Sequence, residues 1–289
     1  MEIRKAVIPA AGLGVRFLPA TKAVPKAMLP LIDKPLIQYA VEEAVSSGID
    51  QVIIVTCASQ GATEEHFDRS LDLERALEQK GETTMLETVR RIAGLANIRY
   101  VRQSGQLGLG DAILTAKDLI GNEPFAVLLP DDIFDAEVPL LKQMLDVYNR
   151  YSESVIALWR VAKEDVSRYG IVRPQQVEDR VHRVLDMVEK PDPSQAPSDL
   201  AILGRYILNP GIFQALTATP PGKGGEVQLT DGLALLLTQQ AVYGYEFTGT
   251  YYDAGTPLSL LKTSMALAAT HPQMGSDVRQ FIKRLAADL

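Results

Sequence analysis

Lys5-Ala6-Val7-Ile8-Pro9 runs straight into Ala10-Ala11-Gly12-Leu13-Gly14-Val15-Arg16. A short apolar run followed by small residues reads as a β-strand whose carboxyl end opens into a loop of accessible backbone. In a doubly wound sheet that is the edge where ligands bind. Exposed N–H groups there can cradle phosphate. The dinucleotide fingerprint G-x-G-x-x-G is broken, because position 17 is Phe, and the second apolar run ends in Thr56-Cys57-Ala58 without the acidic residue a ribose requires. No Gly-Lys-Ser/Thr follows, which excludes a P-loop.

Working outward, strand and helix patterns alternate. Pro35 to Ser47 is amphipathic, with Leu36, Ile37, Ala40, Val41 and Ala44 at helical spacing. Gln51 to Cys57 is a continuous apolar strand of the kind buried parallel sheets use. The spacing predicts a helix over Thr63–Lys80 with Phe67, Leu71 and Leu77 inward, and a second over Thr84–Gly94. A strand at Ile98–Arg102, a helix at Asp111–Ile120, the strand Phe125–Leu129 and a helix at Val138–Tyr151 complete the first half. That alternation is the signature of an α/β fold. The second half is less regular, with strands at Val155–Val161, Ile171–Arg173, Val181–Val188 and Ala201–Leu208. A proline-rich loop spans Pro191–Pro197, and a helix is expected at Asp231–Gln240. A strand pair near Val242–Tyr252 and helices at Leu258–Ala269 and Ser276–Leu289 close the chain. The reading is a Rossmann-like, mainly parallel central sheet flanked by helices, with a smaller mixed-sheet subregion and C-terminal helices.

Composition narrows the possibilities. The chain has 289 residues, a length that suits two domains or one large α/β unit, with 46% hydrophobic and 22% charged residues. A lone cysteine, Cys57, excludes an intrachain disulfide or a cysteine-rich metal site and fits a reducing compartment. The N-terminal residues read as the start of a strand rather than a signal peptide. No window approaches the ~18 apolar residues of a membrane helix. A cytoplasmic protein without membrane or nucleic-acid partners is therefore expected, since phosphate-backbone binding needs a basic face and the net charge is −7. Yet residues 1–35 carry Arg4, Lys5, Arg16, Lys22, Lys26 and Lys34 against Glu2 and Asp33, a local +4. Arg16, Lys22 and Lys26 lie close behind the glycine loop, with Pro19, Pro25 and Pro30 restricting the chain between them. Such a tethered basic loop suits a triphosphate; surface charge is the plainer alternative. His66, His182 and His271 fit no ligand spacing, and Trp159 reads as core.

Ala10 to Lys22 closely resembles the signature loop of the sugar-1-phosphate nucleotidyltransferases, and Pro25-Lys26-Ala27-Met28-Leu29-Pro30 resembles the same family's lysine motif. Further resembling blocks follow in family order: Val101–Gln103, Gly108–Gly110, Leu128–Asp132, Arg168–Ile171, Val188–Pro191, Gly204–Tyr206, Gly225–Asp231 and Tyr252–Gly255. They span residues 3 to 270, and the likeness is strongest to the bacterial uridylyltransferase branch.

The resemblance implies transfer of a nucleotidyl group from UTP to glucose 1-phosphate, giving UDP-glucose and pyrophosphate. A phosphate oxygen attacks the α-phosphorus, so the protein need only align reactants and neutralise charge. By the same resemblance Asp131 and Asp253 hold Mg²⁺, and Arg16 and Lys26 contact the triphosphate. Ala11, Gly12, Gly14, Gln103 and Gly108 bind the nucleotide, with Gln103 on the base. Gly170, Glu189, Lys190 and Gly204 bind the sugar phosphate, so Arg16, Lys26, Asp131, Lys190 and Asp253 form the catalytic set. In an extended strand Glu189 and Lys190 would face opposite sides. Asp132 reads as a supporting residue. The resemblance also implies a homodimer or homotetramer, and the C-terminal helices are candidates for that contact. Because resembling blocks come from both halves, residues 1–289 read as a single catalytic unit. In it about 1–150 handles nucleotide, about 151–255 the sugar, and about 256–289 forms the C-terminal helices. A thymidylyltransferase using dTTP, or a silent nucleotide-sugar-binding paralogue, are the alternatives; the second predicts loss of charged ligands that this chain retains. Three positions depart from the family pattern: Ala27 for glutamate, Asp111 for histidine beside the base pocket, and Ala254 for cysteine.

Overall fold

In the computed structural model, which describes residues 2–57 and 61–288, the first apolar run is strand β1 (Lys5–Pro9). Met1, Ala58 after the second apolar run, and Leu289 at the end of the last expected helix lie outside the described residues. Short 3-10 turns at Val15–Phe17, Ala20–Lys22 and Lys26–Met28 lead to the hairpin β2 (Pro30–Leu31) and β3 (Lys34–Pro35). The first half continues through α1 (Leu36–Ser46), β4 (Gln51–Thr56), α2 (Gly61–Phe67), α3 (Leu71–Lys80), α4 (Thr83–Ala93) and β5 (Asn97–Arg102). It ends with α5 (Leu109–Thr115), α6 (Lys117–Ile120), β6 (Phe125–Leu128), β7 (Asp132–Asp135) and α7 (Leu140–Tyr151). The second half holds β8 (Ser154–Arg160), β9 (Gly170–Glu178), β10 (Val181–Glu189), β11 (Leu200–Leu208), α8 (Gly211–Ala218) and α9 (Leu229–Leu236). It closes with β12 (Val242–Glu246), β13 (Thr250–Asp253), α10 (Pro257–Thr270) and α11 (Gly275–Asp288). No helix among the described residues is long and apolar enough to cross a membrane.

Among the described residues nine strands make one sheet, in the order β5-β4-β1-β6-β11-β8-β12-β10-β9. The first four are mutually parallel, and β12 is parallel to β8. Strand β11 is antiparallel to β6 and β8, and β10 is antiparallel to β12 and β9. Only β10 and β11 therefore run against the other seven strands, so the expected direction holds. The second-half strands extend the same sheet and, with β10 and β11 reversed, make up its mixed part. Ala201 of β11 also pairs with Ile171 of β9, so β11, β8, β12, β10 and β9 close into a ring. Helices cover both faces. Val7, Ile53, Val55, Phe125 and Val127 point to one, where Ile113, Leu216 and Leu233 pack; Ile8, Ile54, Ala126 and Leu128 point to the other, against Ile37, Val41 and Met144. Burying each such aliphatic or aromatic side chain contributes roughly 1.5–3 kcal/mol, and these two layers hold the strand ends in place.

Several expected elements differ. The helix over Thr63–Lys80 is two helices, broken where the Asp68 carboxylate accepts from the Arg69 backbone N–H at 2.8 Å and competes with the helical ladder. Leu71 is exposed and Glu74 is buried instead, because Arg69 (2.6 Å) and Arg90 (2.9 Å) both reach the Glu74 carboxylate. Helix pattern over Asp111–Ile120 divides at Ala116. The run Val242–Tyr252 is not a hairpin: Phe247 is buried beside Trp159 and Phe134, and this anchor carries the chain from the main sheet to a second one. There β13 pairs with β7, in the register Asp253↔Asp132. Strand β7, with an aspartate at each end, and helix α8 have no counterpart in the sequence reading.

One buried cation organises the turn after β6. Arg205 on β11 is 1% exposed and its side chain uses all five N–H donors. Nε and Nη2 bind the Glu43 carboxylate of α1 at 3.0 and 2.8 Å. Nη1 donates to the carbonyls of Leu129 and Gly204 at 2.8 and 2.9 Å, and Nη2 to that of Asp132 at 3.0 Å. Glu43 also accepts from the backbone N–H of Leu141 at 3.1 Å, which ties in the start of α7.

Removing one member of a buried ion pair strands the other. Arg205→Leu is expected to lower the unfolding free energy by about 3–5 kcal/mol, and the Glu43→Gln, Arg205→Leu double variant by less than the sum of the singles. Urea titrations of the four proteins measure this. The paired arginines hold the Glu74 carboxyl down at about 2, well below its ordinary value. A depressed acid pKa stabilises the native state above the ordinary carboxylate range, and that contribution is lost as pH falls toward about 2. Glu74→Gln is expected to have a lower urea midpoint than the wild type near neutrality, with the two midpoints converging in acid.

Candidate active site

Two adjoining clefts open at the carboxyl ends of the parallel strands. The larger, about 590 Å³, is lined by Arg16, Asp131, Arg168, Gly170, Glu189, Lys190, Gly204, Thr230 and Asp253 among others. The smaller, about 290 Å³, is lined by Ala11, Gly12, Gln103, Gln106, Gly108 and Glu226. Leu109, Leu129 and Asp131 belong to both walls.

The carboxylates meet because two strand ends do. Asp131 follows β6, and its carbonyl accepts from the N–H of Ala254 at 2.8 Å, directly after β13. The carboxylate of Asp253 accepts from the Gly255 N–H at 2.6 Å. A Cβ at position 255 would stand 2.8 Å from Asp253 Oδ1 and 3.3 Å from Asp131 Oδ2. Both carboxylates thus lie against the bare Cα of Gly255, and two hard oxygen donors on neighbouring strand ends suit a divalent cation. Cations already attend them: Lys26 Nζ lies 2.6 Å from Asp131 Oδ2, and Arg168 Nη2 lies 3.3 Å from Asp253 Oδ2. Asp132 turns the other way. Its carboxylate accepts from Tyr251 Oη at 2.7 Å and from the Gly204 N–H at 2.8 Å. Burial, and then the charge of Asp131, pushes its pKa up to about 7, and burial next to Asp132 also raises that of Tyr251.

Glu189 and Lys190 both line the larger cleft, although neighbours in an extended strand would not. The reason is local: Lys190 has φ +46°, so the chain turns there and its Nζ reaches Glu189 Oε1 at 2.9 Å. The second Glu189 oxygen accepts from Thr230 Oγ1 at 2.7 Å. Gly204 has no room for a side chain, since a Cβ would lie 2.2 Å from Asp132 Oδ2 and 2.6 Å from Leu129 Cβ.

In the smaller cleft the Gln103 side chain donates from Nε2 to Asp111 Oδ2 at 2.8 Å and to the Gly108 carbonyl at 3.2 Å. Gln106 Nε2 donates to the Ala11 carbonyl at 2.9 Å, and Gly110 N–H to that of Val227 at 2.8 Å. Of the residues picked out by sequence, Gly14 lines neither cleft. Its carbonyl accepts from Thr21 Oγ1 at 2.8 Å, and the glycine serves the turn. Lys26 enters the site through Asp131. Arg168, Thr230 and Gln106 were unassigned, although Arg168 and Thr230 lie inside the family-like blocks. The departures resolve differently: Ala27 and Ala254 are buried in apolar clusters, whereas Asp111 binds Gln103.

The comparisons agree with this architecture. A profile of the nucleotidyl transferase family matches residues 5–270. The UTP–glucose-1-phosphate uridylyltransferase of Staphylococcus epidermidis is 51% identical over 284 residues, covering 98% of this chain and 99% of that protein. A crystal structure of UDP-glucose pyrophosphorylase complexed with UDP-glucose is 44% identical, covers 93% of this chain and all of the other, and superposes with a TM-score of 0.86. The UTP-bound enzyme from Acinetobacter baumannii is 40% identical over 98% of this chain and 100% of its own, with a TM-score of 0.92. With its matching blocks, sheet and paired clefts, the chain belongs to the nucleotidyl transferase family.

Proposed function

We propose that the chain transfers the uridylyl group of UTP to glucose 1-phosphate, forming UDP-glucose and releasing pyrophosphate. The observation that carries this reading is the meeting of two clefts at Asp131, one bordered by backbone and amides, the other by cations paired with carboxylates. The near full-length relatives named for this reaction support it. The nucleotide base occupies the smaller cleft, against Ala11, Gly12, Gln103 and Gly108. The sugar phosphate occupies the larger one, with Lys190 on its phosphate, Glu189 accepting from sugar hydroxyls, and Gly170 and Gly204 lining the ring. Arg16 and Lys26 neutralise the triphosphate. One phosphate oxygen of the sugar phosphate then attacks the α-phosphorus, and the bond to pyrophosphate breaks as the new one forms. No side-chain nucleophile is needed, and alignment and charge neutralisation supply the rate. Asp131 and Asp253 are the residues that would hold Mg²⁺, which would offset phosphate charge at the reacting centre.

The whole chain acts as one catalytic unit in this reading, with residues 1–150 serving the nucleotide and 151–255 the sugar. The working form we infer is a cytoplasmic homodimer or homotetramer. Leu258, Leu261 and Met265 of α10, and Phe281 and Leu285 of α11, are exposed apolar side chains that support a contact there.

Pyrophosphate release with glucose 1-phosphate tests the reaction. Turnover is expected with UTP and Mg²⁺ and is abolished by a chelator. No turnover with UTP, or faster turnover with dTTP, overturns the assignment. Asp131→Asn and Asp253→Asn are each expected to lose about 10²–10³ in kcat with unchanged unfolding midpoints. Gly204→Ala is expected to raise KM for glucose 1-phosphate at least about tenfold and KM for UTP by less, since the new methyl enters the larger cleft's wall and reaches the smaller one only through Leu129.

A further inference from the structure

We propose that Asp111 is a positioning residue for base specificity: it fixes which end of the Gln103 amide faces the base, and so selects uracil over cytosine. The inference rests on the reading of the smaller cleft as the base pocket.

Gln103 directly follows β5, is 8% exposed, and borders that cleft beside Gly12 and Gly108. Its backbone N–H is held by the Thr56 carbonyl at 2.9 Å, so the residue cannot drift. The two groups that its side-chain amide meets are the Asp111 carboxylate and the Gly108 carbonyl. Both only accept hydrogen bonds. The amide NH₂ must therefore point at them, and the opposite orientation would set the amide oxygen against a carboxylate. The shorter of the two bonds goes to the charged partner, which is the stronger kind. Among the described residues nothing donates to Gln103 Oε1. With its NH₂ committed, Gln103 can offer the pocket an acceptor and no donor.

A pyrimidine reports on that choice. Uracil carries an N3–H donor where cytosine carries a lone pair, so an acceptor at that edge completes a bond with one base and opposes the other. A site that leaves polar groups unpaired rejects the wrong ligand strongly. Thymine has the same N3–H, so the device separates UTP from CTP and is indifferent between UTP and dTTP. Without Asp111 only the longer bond to the Gly108 carbonyl holds the amide, and rotation by half a turn presents the NH₂ instead.

The test compares kcat/KM for UTP, CTP and dTTP in the wild type, Asp111→Ala, Asp111→Asn and Gln103→Ala. The wild type is expected to prefer UTP over CTP by at least about 10²-fold. Asp111→Ala narrows that ratio by about tenfold or more, through both a fall for UTP and a rise for CTP. The isosteric Asp111→Asn, which keeps a neutral acceptor, narrows it by about threefold and decides the matter if the alanine variant does not fold. The UTP to dTTP ratio stays as in the wild type. An unchanged UTP to CTP ratio in the folded Asp111 variants overturns the inference. If Gln103→Ala alters the ratio while they do not, the base pocket stands and only the role of Asp111 falls. If Gln103→Ala also leaves the ratio unchanged, the reading of the cleft itself falls.

Discussion

The site hangs on one guanidinium. Arg205 grips the carbonyls of Leu129 and Asp132, on either side of the Pro130-Asp131 pair. Its counter-ion, Glu43, comes from α1 and also takes the first turn of α7. The turn that presents Asp131 is thereby fastened to β11 and to two helices at once. Carbonyls gripped by a fully buried guanidinium cannot move without leaving its buried N–H donors unpaired, which costs about 1–3 kcal/mol or more for each donor on a charged group. A rigid turn is what in-line transfer demands, because small displacements of the aligning groups cost large factors in rate.

From that turn the rest of the site follows by backbone pairing. Strand β7 leaves the turn at Asp132 and pairs with β13, which brings Asp253 opposite Asp132 and hence beside Asp131. Closure of the second-half strands through Ala201 and Ile171 then returns Gly170 and the end of β10 to the same place. The positive φ of Lys190 swings its ammonium toward the cleft. Groups separated by more than a hundred residues of sequence thus meet through strand register, which is rigid, and not through long loops.

Much of this was legible in the sequence, and the gaps have physical causes. The parallel half could be read because its strands are continuous apolar runs with both faces buried. Strand β7 was invisible because Asp132 and Asp135 at its ends spoil any strand pattern, and only its partner β13 defines it. Leu71 was expected inward because helical periodicity scores apolar residues, whereas two arginines make burial of the acid Glu74 favourable. The family-like blocks located most cleft-lining residues, yet they could not say why Glu189 and Lys190 share a face, since that depends on a single dihedral angle. Arg205 was in plain view as the lone charge in an apolar strand, a signal that marks a buried hydrogen-bonding hub.

In the proposed reaction an acidic protein has to take up polyphosphate, and the charges at the cleft bear on how it does so. The −7 total suggests repulsion, and Asp131, Asp253 and Glu189 concentrate more negative charge at the site. Each of these carboxylates, however, already has a cation: Lys26, Arg168 and Lys190 respectively. The pairs keep the crevice close to neutral when empty, so an incoming anion meets little net repulsion. Arg16, which pairs with no carboxylate among the described residues, is the charge left over to favour it. On the proposed reading, Lys26 and Lys190 would then share their ammonium groups between carboxylate and phosphate. In the proposed reaction Asp131, relieved of part of its partner, would be a better ligand for a divalent cation, so the Lys26–Asp131 pair suits both the empty and the loaded state.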